Sequence, residues 1–293
     1  MASTAPSQNS GTGLNSSSSE AVFPLGRGLQ SWTTLQSAGD ALPIADATFR
    51  PTKDNKALTH DTVTSPEVNS SPAMLAIFPK GCHSRSQTKG GFSFCAPGPA
   101  NVDLTTAREV TFGYSVMFEQ DFQFNKGGKL PGLCESSSNL FVIVAHEAQD
   151  GGDNEEIATM CSGGRHDEHG WSVRLMWRTG GAGEMYTYLP QSFSANQALC
   201  HVAPYSTSNP TYGTSVGRGS FSLRPGEWTT VTQRMRLNDA GQENGELELF
   251  VNGQSRIKVS GLVLRSSEAG RIRGMQIQTF FGGVFSLPCI TIS

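Results

Sequence analysis

The stretch WSVRLMWRTGGAGEMYTYLP, residues 171–190, predicts the β-hairpin around which the chain folds. Apolar and polar residues alternate along its first arm, which is typical of a half-buried strand with one side facing a core. The second arm alternates in phase with the first. The glycine-rich segment 179–183 between them suits a tight reversal.

A reversal centred near Gly180 places Arg174 opposite Tyr186 and Ser172 opposite Tyr188. A slip of one residue would move these side chains to different faces, so the pairing is a specific prediction. Polar faces are normal on half-buried sheets, and tyrosine is a favoured strand residue. We nevertheless expect one solvent-facing patch suited to an anionic substrate. We also expect Arg174 to lower the pKa of the tyrosine opposite, because a nearby cation stabilises phenolate.

The composition of the 293 residues favours strands and turns over long helices. Charged residues make up only 16%, and there are 33 glycines and 15 prolines. The net charge of −3 provides no general basic field for nucleic acid or a membrane surface, so an anionic ligand needs a local basic cleft. No apolar run approaches the roughly 18 residues of a membrane helix. We expect a monomer that binds neither nucleic acid nor membrane.

Further stretches predict strands by the same alternation: residues 110–118, 228–237, 246–251 and 272–281. Asn252-Gly253 is the strongest short hairpin signal, with residues 256–259 as the return strand. In the last stretch Gln276 and Gln278 share one face. Many short strands separated by turns predict an all-β fold, a jelly-roll β-sandwich with a substrate cleft over one sheet.

We expect a single domain over residues 21–293, preceded by a disordered, serine-rich segment at 1–20. An insertion at about 135–149 and the tail 284–293 are atypical of the pattern around them. Six cysteines without C-x-x-C spacing argue against a zinc or redox motif. An even count permits disulfides such as Cys82–Cys95, which would imply a secretory route, although no signal peptide is visible.

Several charged residues outside the hairpin are candidates for binding. The segment NKGGKLPGL, residues 125–133, offers Lys126 and Lys129 on a predicted glycine-rich loop, where they could neutralise a carboxylate or phosphate or lie in a solvated turn. It lacks the spacing of a nucleotide-binding loop. The run RHDEH, from Arg165 to His169, suits a solvated loop better than a metal site. We expect no metal and no cofactor.

The sequence also resembles polysaccharide lyase family 14, a group of alginate lyases similar in fold to glucuronan lyases. The phrases that carry the resemblance occur in the family's order between about residues 100 and 283: KGGKLPGL, CSGG, SVRLMWR, GAGEMYTYLP, NGELELFVNG and QTFFGG. The combination of S-x-R with Y-x-Y is more specific than either pair alone. The resemblance implies a secreted jelly-roll enzyme that acts on polyuronides by β-elimination.

The resemblance implies catalytic roles for five residues: Lys129, Ser172, Arg174, Tyr186 and Tyr188. Lys129 and Arg174 would neutralise the C6 carboxylate of a uronic acid and so acidify its C5 proton. The tyrosines would remove that proton and protonate the leaving O4, in either assignment. The candidates for substrate binding are Lys126, Arg165, Arg178, Gln276 and Gln278.

Three other functions remain open at this point. A jelly roll could bind acidic carbohydrate without turnover. The chain could also be an inactive variant of the lyase, since it departs from the family at residues 135–149 and after QTFFGG, and a lost closing strand would leave unpaired edges. A sandwich-fold hydrolase needs two carboxylates across a cleft, and only Glu184 shares the face of the patch.

Overall fold

The computed structural model describes residues 19–52, 54–65, 71–84, 86–135, 163–164, 166, 168, 170–282 and 291–292. Most of the predicted disordered segment, the insertion after Glu135 and most of the tail therefore lie outside the described residues. So does Arg165, one of the candidates for substrate binding.

The described elements are short helices and strands. The helices are α1 (Ser19–Val22), α2 (Asp46–Phe49) and three 3₁₀ segments, Leu104–Thr106, Thr179–Gly181 and Ser194–His201. The strands are β1 (Thr62–Thr64), β2 (Pro72–Met74), β3 (Ala76–Ile77), β4 (Phe92–Ala96), β5 (Glu109–Val116), β6 (Gly128–Glu135), β7 (Ser172–Trp177), β8 (Ala182–Tyr188), β9 (Thr207–Ser208), β10 (Thr214–Ser222), β11 (Thr229–Arg236), β12 (Gly245–Val251), β13 (Gln254–Leu262), β14 (Ile272–Phe281) and β15 (Thr291–Ile292).

Two antiparallel sheets pack face to face, which confirms the predicted all-β sandwich of jelly-roll type. One sheet has seven strands in the order β4-β14-β6-β7-β8-β10-β9, and the other has four in the order β13-β12-β11-β5. Two small pairs, β1-β2 and β3-β15, lie beside them. The strands predicted at 110–118, 228–237, 246–251 and 272–281 are all present, as β5, β11, β12 and β14.

The Asn252-Gly253 turn joins β12 to β13 as predicted. Asn252 and Gly253 have φ angles of 50° and 79°, the left-handed conformation that a two-residue hairpin turn requires. The Asn252 side chain accepts a hydrogen bond from the Thr230 amide at 2.9 Å, and the Asn252 amide donates to the Thr230 carbonyl at 2.8 Å. The turn is therefore also tied to the neighbouring strand β11.

The core side of the hairpin carries the apolar residues that the alternation predicts. Val173, Leu175 and Trp177 are at most 1% exposed and belong to the cluster between the sheets. A Cβ atom at Gly128 would lie 1.9 Å from the Trp177 ring, so glycine at that position makes room for the indole. Burying these large side chains supplies the main driving force for the hairpin to pack against the second sheet.

The structure corrects the expectation that Lys129 lies on a loop. Lys129 is the second residue of β6, a central strand of the seven-stranded sheet. Proline disfavours a central strand because it cannot donate a ladder hydrogen bond, except at a bulge. Leu130 pairs with Leu175 and Gly132 with Arg174, so Pro131 is the extra residue of a β-bulge.

Two other predictions concern redox state and membranes. Cys82 and Cys95, a pair that sequence spacing allows, are not bonded to each other. In the described part of the chain, no helix is long and apolar enough to cross a membrane.

Candidate active site

The predicted pairing of the hairpin is confirmed: Ser172 faces Tyr188 and Arg174 faces Tyr186 across β7 and β8. The same row continues through the sheet, because Arg174 also pairs with Gly132, and Gly132 with Gln276 of β14. Side chains directly opposite each other point to one face of a sheet. Strands far apart in sequence therefore bring this polar set to a single face.

This polar face is buried, which corrects the expectation of a solvent-facing patch. The exposed fraction is 0% for Ser172, 1% for Arg174, 3% for Tyr188 and 7% for Lys129. Long side chains in the patch cover one another, and the backbone at Gly164 also approaches the Tyr188 hydroxyl. The central strands are consequently buried on both faces, one apolar and one polar.

Lys129 lies over the two tyrosines. Its Nζ is 3.5 Å from the centroid of the Tyr186 ring and 5.9 Å from that of Tyr188. Among the described residues Nζ has no hydrogen-bond acceptor. Burial, and then repulsion from Arg174 and Arg178, hold the pKa of Lys129 well below its usual value of 10.5.

Arg174 extends across Gly132 to β14, where its Nη1 donates a hydrogen bond to Gln278 Oε1. Gln278 in turn donates to Ser93 Oγ at 2.9 Å and accepts from Gln276 at 3.1 Å. The Nε of Arg174 has no acceptor within the described residues. Burial lowers the pKa of Arg174 to about 10. The amide chain orients the guanidinium without neutralising its charge.

The two tyrosine rings are neighbours, with centroids 5.7 Å apart. Burial, with a smaller contribution from Tyr188, raises the pKa of Tyr186 to about 12. The expectation that a cation would lower this pKa is therefore wrong for Tyr186, because the effect of Arg178 is smaller than that of burial. Tyr188 accepts a hydrogen bond from the Gly164 amide at 3.4 Å, and the His166 ring lies 5.2 Å from its own.

Glu184 lies at the edge of the site and binds two arginines. It is fully buried, accepts from Arg178 Nε at 2.8 Å and Arg218 Nε at 2.7 Å, and also accepts from the Ser215 hydroxyl. The arginine side chains are 28% and 32% exposed. The Arg178 guanidinium carbon is 5.6 Å from the Tyr186 ring. One carboxylate thus anchors two partly accessible cations beside Lys129.

Most of the predicted site residues converge in space. The residues on this face or at its edge are Lys129, Ser172, Arg174, Arg178, Tyr186, Tyr188, Gln276 and Gln278. Lys126 is half-buried in the loop before β6. The described residues contain no cluster of three or more His, Cys, Asp or Glu able to hold a metal ion.

The sequence did not indicate that Arg218, Ser215 and Ser93 contact this face. Each lies on a strand whose neighbour could not be inferred from local alternation. One signal was available: Glu184, a carboxylate within the patch, required cationic partners once buried.

Comparison with known proteins agrees with this fold. The family model described as Polysaccharide lyase 14 matches residues 66–286. The PL-14 alginate lyase from Aplysia kurodai is 29% identical, over 79% of this chain and 84% of that chain, with a TM-score of 0.63. Alginate lyase vAL-1 from Chlorella virus is 21% identical, over 84% and 89%, with a TM-score of 0.62, and supports the fold alone. A search of curated protein sequences gave no match.

The fold and the site together define a polysaccharide lyase that acts on a uronic-acid polymer. The chain belongs to polysaccharide lyase family 14, because the family model covers most of its length. The resemblance found in the sequence is thereby confirmed.

Proposed function

We propose that this lyase cleaves alginate or a closely related polyuronide, and that Lys129, Ser172, Arg174, Tyr186 and Tyr188 form its catalytic site. The similarity to the alginate lyase from Aplysia kurodai supports the choice of substrate. The chemistry is β-elimination, which leaves an unsaturated uronate at the new chain end. We further propose that the protein acts outside the cell as a monomer, without a cofactor.

One observation carries the proposal: two buried basic groups, Lys129 and Arg174, converge on this face without an ion-pair partner in the described chain. Neither Lys129 nor Arg174 forms an ion pair there, and both retain a donor atom without an acceptor. Burying a charge without compensation is costly, so such a site is organised for an anion that comes from outside. A uronate carboxylate supplies that charge and can accept from both donors.

The elimination requires three coupled changes. A base removes the proton from C5, the electron pair of that bond forms the C4=C5 double bond, and the C4–O4 bond breaks. Negative charge develops on the carboxylate as C5 loses its proton, and cations placed beforehand stabilise it. Lys129 and Arg174 occupy that role, and Ser172 lies beside them on β7.

The tyrosines divide the proton transfers. Because the pKa of Tyr186 is raised to about 12, its hydroxyl stays protonated at neutral pH and suits donation to the leaving O4. The other proton transfer then falls to Tyr188, whose ring centroid lies 5.7 Å from that of Tyr186. We therefore assign proton removal to Tyr188 and protonation of O4 to Tyr186.

The test is ultraviolet absorbance of the purified protein with alginate and with glucuronan, which detects the conjugated unsaturated uronate. We expect absorbance to rise with at least one polymer and to stay flat with the same polymer after its carboxyl groups are reduced to alcohols. Absorbance that fails to rise with any polyuronide, from a folded protein that still binds it, would establish a binding protein instead.

Matched variants locate the chemistry. Tyr188→Phe and Lys129→Met should each lower kcat on the order of 100-fold or more, as expected for groups that act in the transition state. Tyr205→Phe and Lys258→Met change the same residue types at exposed positions and should retain activity. Equal activity in all four variants would rule out this site.

A further inference from the structure

The β-bulge at Pro131 decides which way Lys129 points. In a regular strand, residues an even number of positions apart share a face. Leu133 faces the core and is 1% exposed, so uninterrupted alternation would also send Lys129, four residues earlier, into the core. The extra residue reverses the order: Leu130 enters the core and Lys129 reaches the tyrosines.

Two side chains from the opposite sheet hold this bulge. The Tyr114 hydroxyl, from β5, donates a hydrogen bond to the Pro131 carbonyl at 3.0 Å. Gln233 Oε1, from β11, accepts from the Leu133 amide at 3.2 Å. A bulge interrupts the ladder and leaves backbone groups without strand partners. Here the carbonyl of Pro131 and the amide of Leu133, on either side of Gly132, find their hydrogen-bond partners across the core.

The two contacts join the backbone of the bulge to the opposite sheet, in addition to the packing of Leu130 and Leu133, which are 2% and 1% exposed. A pocket on the same side of the sheet is lined by Tyr114, Leu130, Pro131 and Leu133. Burial also raises the pKa of Tyr114 well above 10, so its hydroxyl remains a donor throughout the working pH range.

The buried position of Gln233 is unfavourable for its side-chain amide. Gln233 is 2% exposed, and its Nε2 has no hydrogen-bond partner among the described residues. A buried amide that satisfies only its oxygen loses the hydration of its NH₂ group. The hydrogen bond that the Gln233 side chain does make is the one from the Leu133 amide at the bulge.

We propose that Tyr114 and Gln233 are positioning residues for Lys129, because they hold the bulge that turns its side chain from the core to the site. The catalytic consequence rests on the proposed function, whereas the placement of the amine does not. Neither residue contacts Lys129 itself. Their effect passes through the backbone of Pro131 and Leu133.

The test compares Tyr114→Phe and Gln233→Met with a matched control, Ser115→Ala. Ser115 is the next residue of β5, and its substitution removes a 2.8 Å hydroxyl contact with Thr230 that does not involve β6. For each folded variant we would measure kcat and KM. The pKa of Lys129 would be followed by NMR of ¹³C-dimethylated lysines, with the resonance assigned from a Lys129→Arg spectrum.

We expect both variants at the bulge to lower kcat on the order of 10-fold to 100-fold with little change in KM, as a small misplacement of a catalytic group does. The pKa of Lys129 should move away from its wild-type value, because the amine leaves its place over the Tyr186 ring and beside the two arginines. Ser115→Ala should change neither quantity. The proposal would be overturned if Tyr114→Phe and Gln233→Met both kept the wild-type kcat and the wild-type pKa of Lys129. It would also be overturned if Ser115→Ala changed these two quantities as much as the bulge variants do.

The two proposals can fail separately. If the wild-type protein cleaves no polyuronide, the proposed function fails. The Lys129 pKa then decides alone whether Tyr114 and Gln233 position the amine. If Tyr114→Phe does not fold, kcat and the Lys129 pKa measured in Gln233→Met test the proposal in the same way.

Discussion

Lys129 is the residue whose surroundings most strongly constrain how the site works. Its amine is buried beside two arginines, which favours the neutral form. A carboxylate that binds between these groups favours the charged form and raises the pKa of Lys129 again. The amine therefore couples anion binding to proton uptake.

We predict that binding of a polyuronide takes up a proton and weakens as the pH rises through the pKa of Lys129 in the empty protein. Titration calorimetry in two buffers of different ionisation enthalpy measures the uptake, and the Tyr188→Phe background prevents cleavage. Lys129→Arg should abolish the uptake below about pH 9, because the guanidinium stays charged there. Binding without proton uptake between pH 6 and 9 would contradict the prediction.

Glu184 is the second residue whose charge decides the behaviour of the site. It is buried, and the two arginines that it binds are about one-third exposed or less. Glu184→Gln keeps an acceptor for one arginine but turns an NH₂ group toward the other. Because water screens the arginines in part, we expect a loss of about 1–3 kcal/mol in the free energy of unfolding.

The same substitution should raise KM, because Arg178 and Arg218 lose their anchor. It should also lower the pKa of Lys129 further, since the charge of Glu184 raises that pKa in the native protein. Urea unfolding and steady-state kinetics measure these changes, with exposed Glu243→Gln as the control. If Glu184→Gln matched Glu243→Gln in stability and KM, the interaction of Glu184 with the two arginines would contribute neither to stability nor to substrate binding.

At the scale of elements, the alternation of apolar and polar residues predicted strands and hairpins formed by neighbouring residues. It did not predict features that depend on contacts with strands distant in sequence. The 171–190 hairpin and β14 follow from period-two patterns and turn residues, and the register predicted for the hairpin agrees with the structure. The strand β6 was not predicted, because the glycines of residues 125–133 indicated a loop. Its bulge is stabilised by Tyr114 and Gln233, and neither is adjacent in sequence.

The turn at Asn252-Gly253 provides a test of backbone strain away from the site. Gly253 has a φ of 79°, and the nearest atom to an added Cβ is 3.6 Å away, so Gly253→Ala costs strain rather than a clash. We expect the free energy of unfolding to fall by about 1–2 kcal/mol with unchanged kcat. Gly39→Ala, where φ is not positive and space is open, should stay within about 0.5 kcal/mol of wild type in urea unfolding. Equal stability of both variants would show that the turn is unstrained.

For the whole molecule, the family resemblance predicted more of the site than the alternation of side chains did. The pattern alone placed Ser172, Arg174 and the tyrosines on one face. The glycine-rich segment offered Lys126 and Lys129, and the family's motifs selected Lys129 and indicated the direction of the chemistry. Neither could place Arg218 or Ser93, because sheet order depends on how strands distant in sequence pack together.

The net charge of the molecule is negative, whereas the charge at the site is positive. The net charge is −3, so the protein as a whole repels a polyuronide. Attraction must come from the local cations, among which the Arg178 and Arg218 side chains are 28% and 32% exposed. Salt screens exposed charges over a distance that falls from about 10 Å at 0.1 M to about 3 Å at 1 M.

We therefore predict that KM for a polyuronide rises on the order of 10-fold across this range of salt, while kcat changes little because Lys129 and Arg174 are buried. Arg218→Gln should raise KM at low salt and flatten its dependence on salt. Arg256→Gln, an exposed arginine on β13 in the other sheet, should keep the wild-type slope. The slope of log KM against log salt concentration, measured for the three proteins, distinguishes a local cluster from a general field. Equal flattening by Arg256→Gln would mean that the charge of the whole surface guides the polymer and that the Glu184 arginine pair has no special part in it.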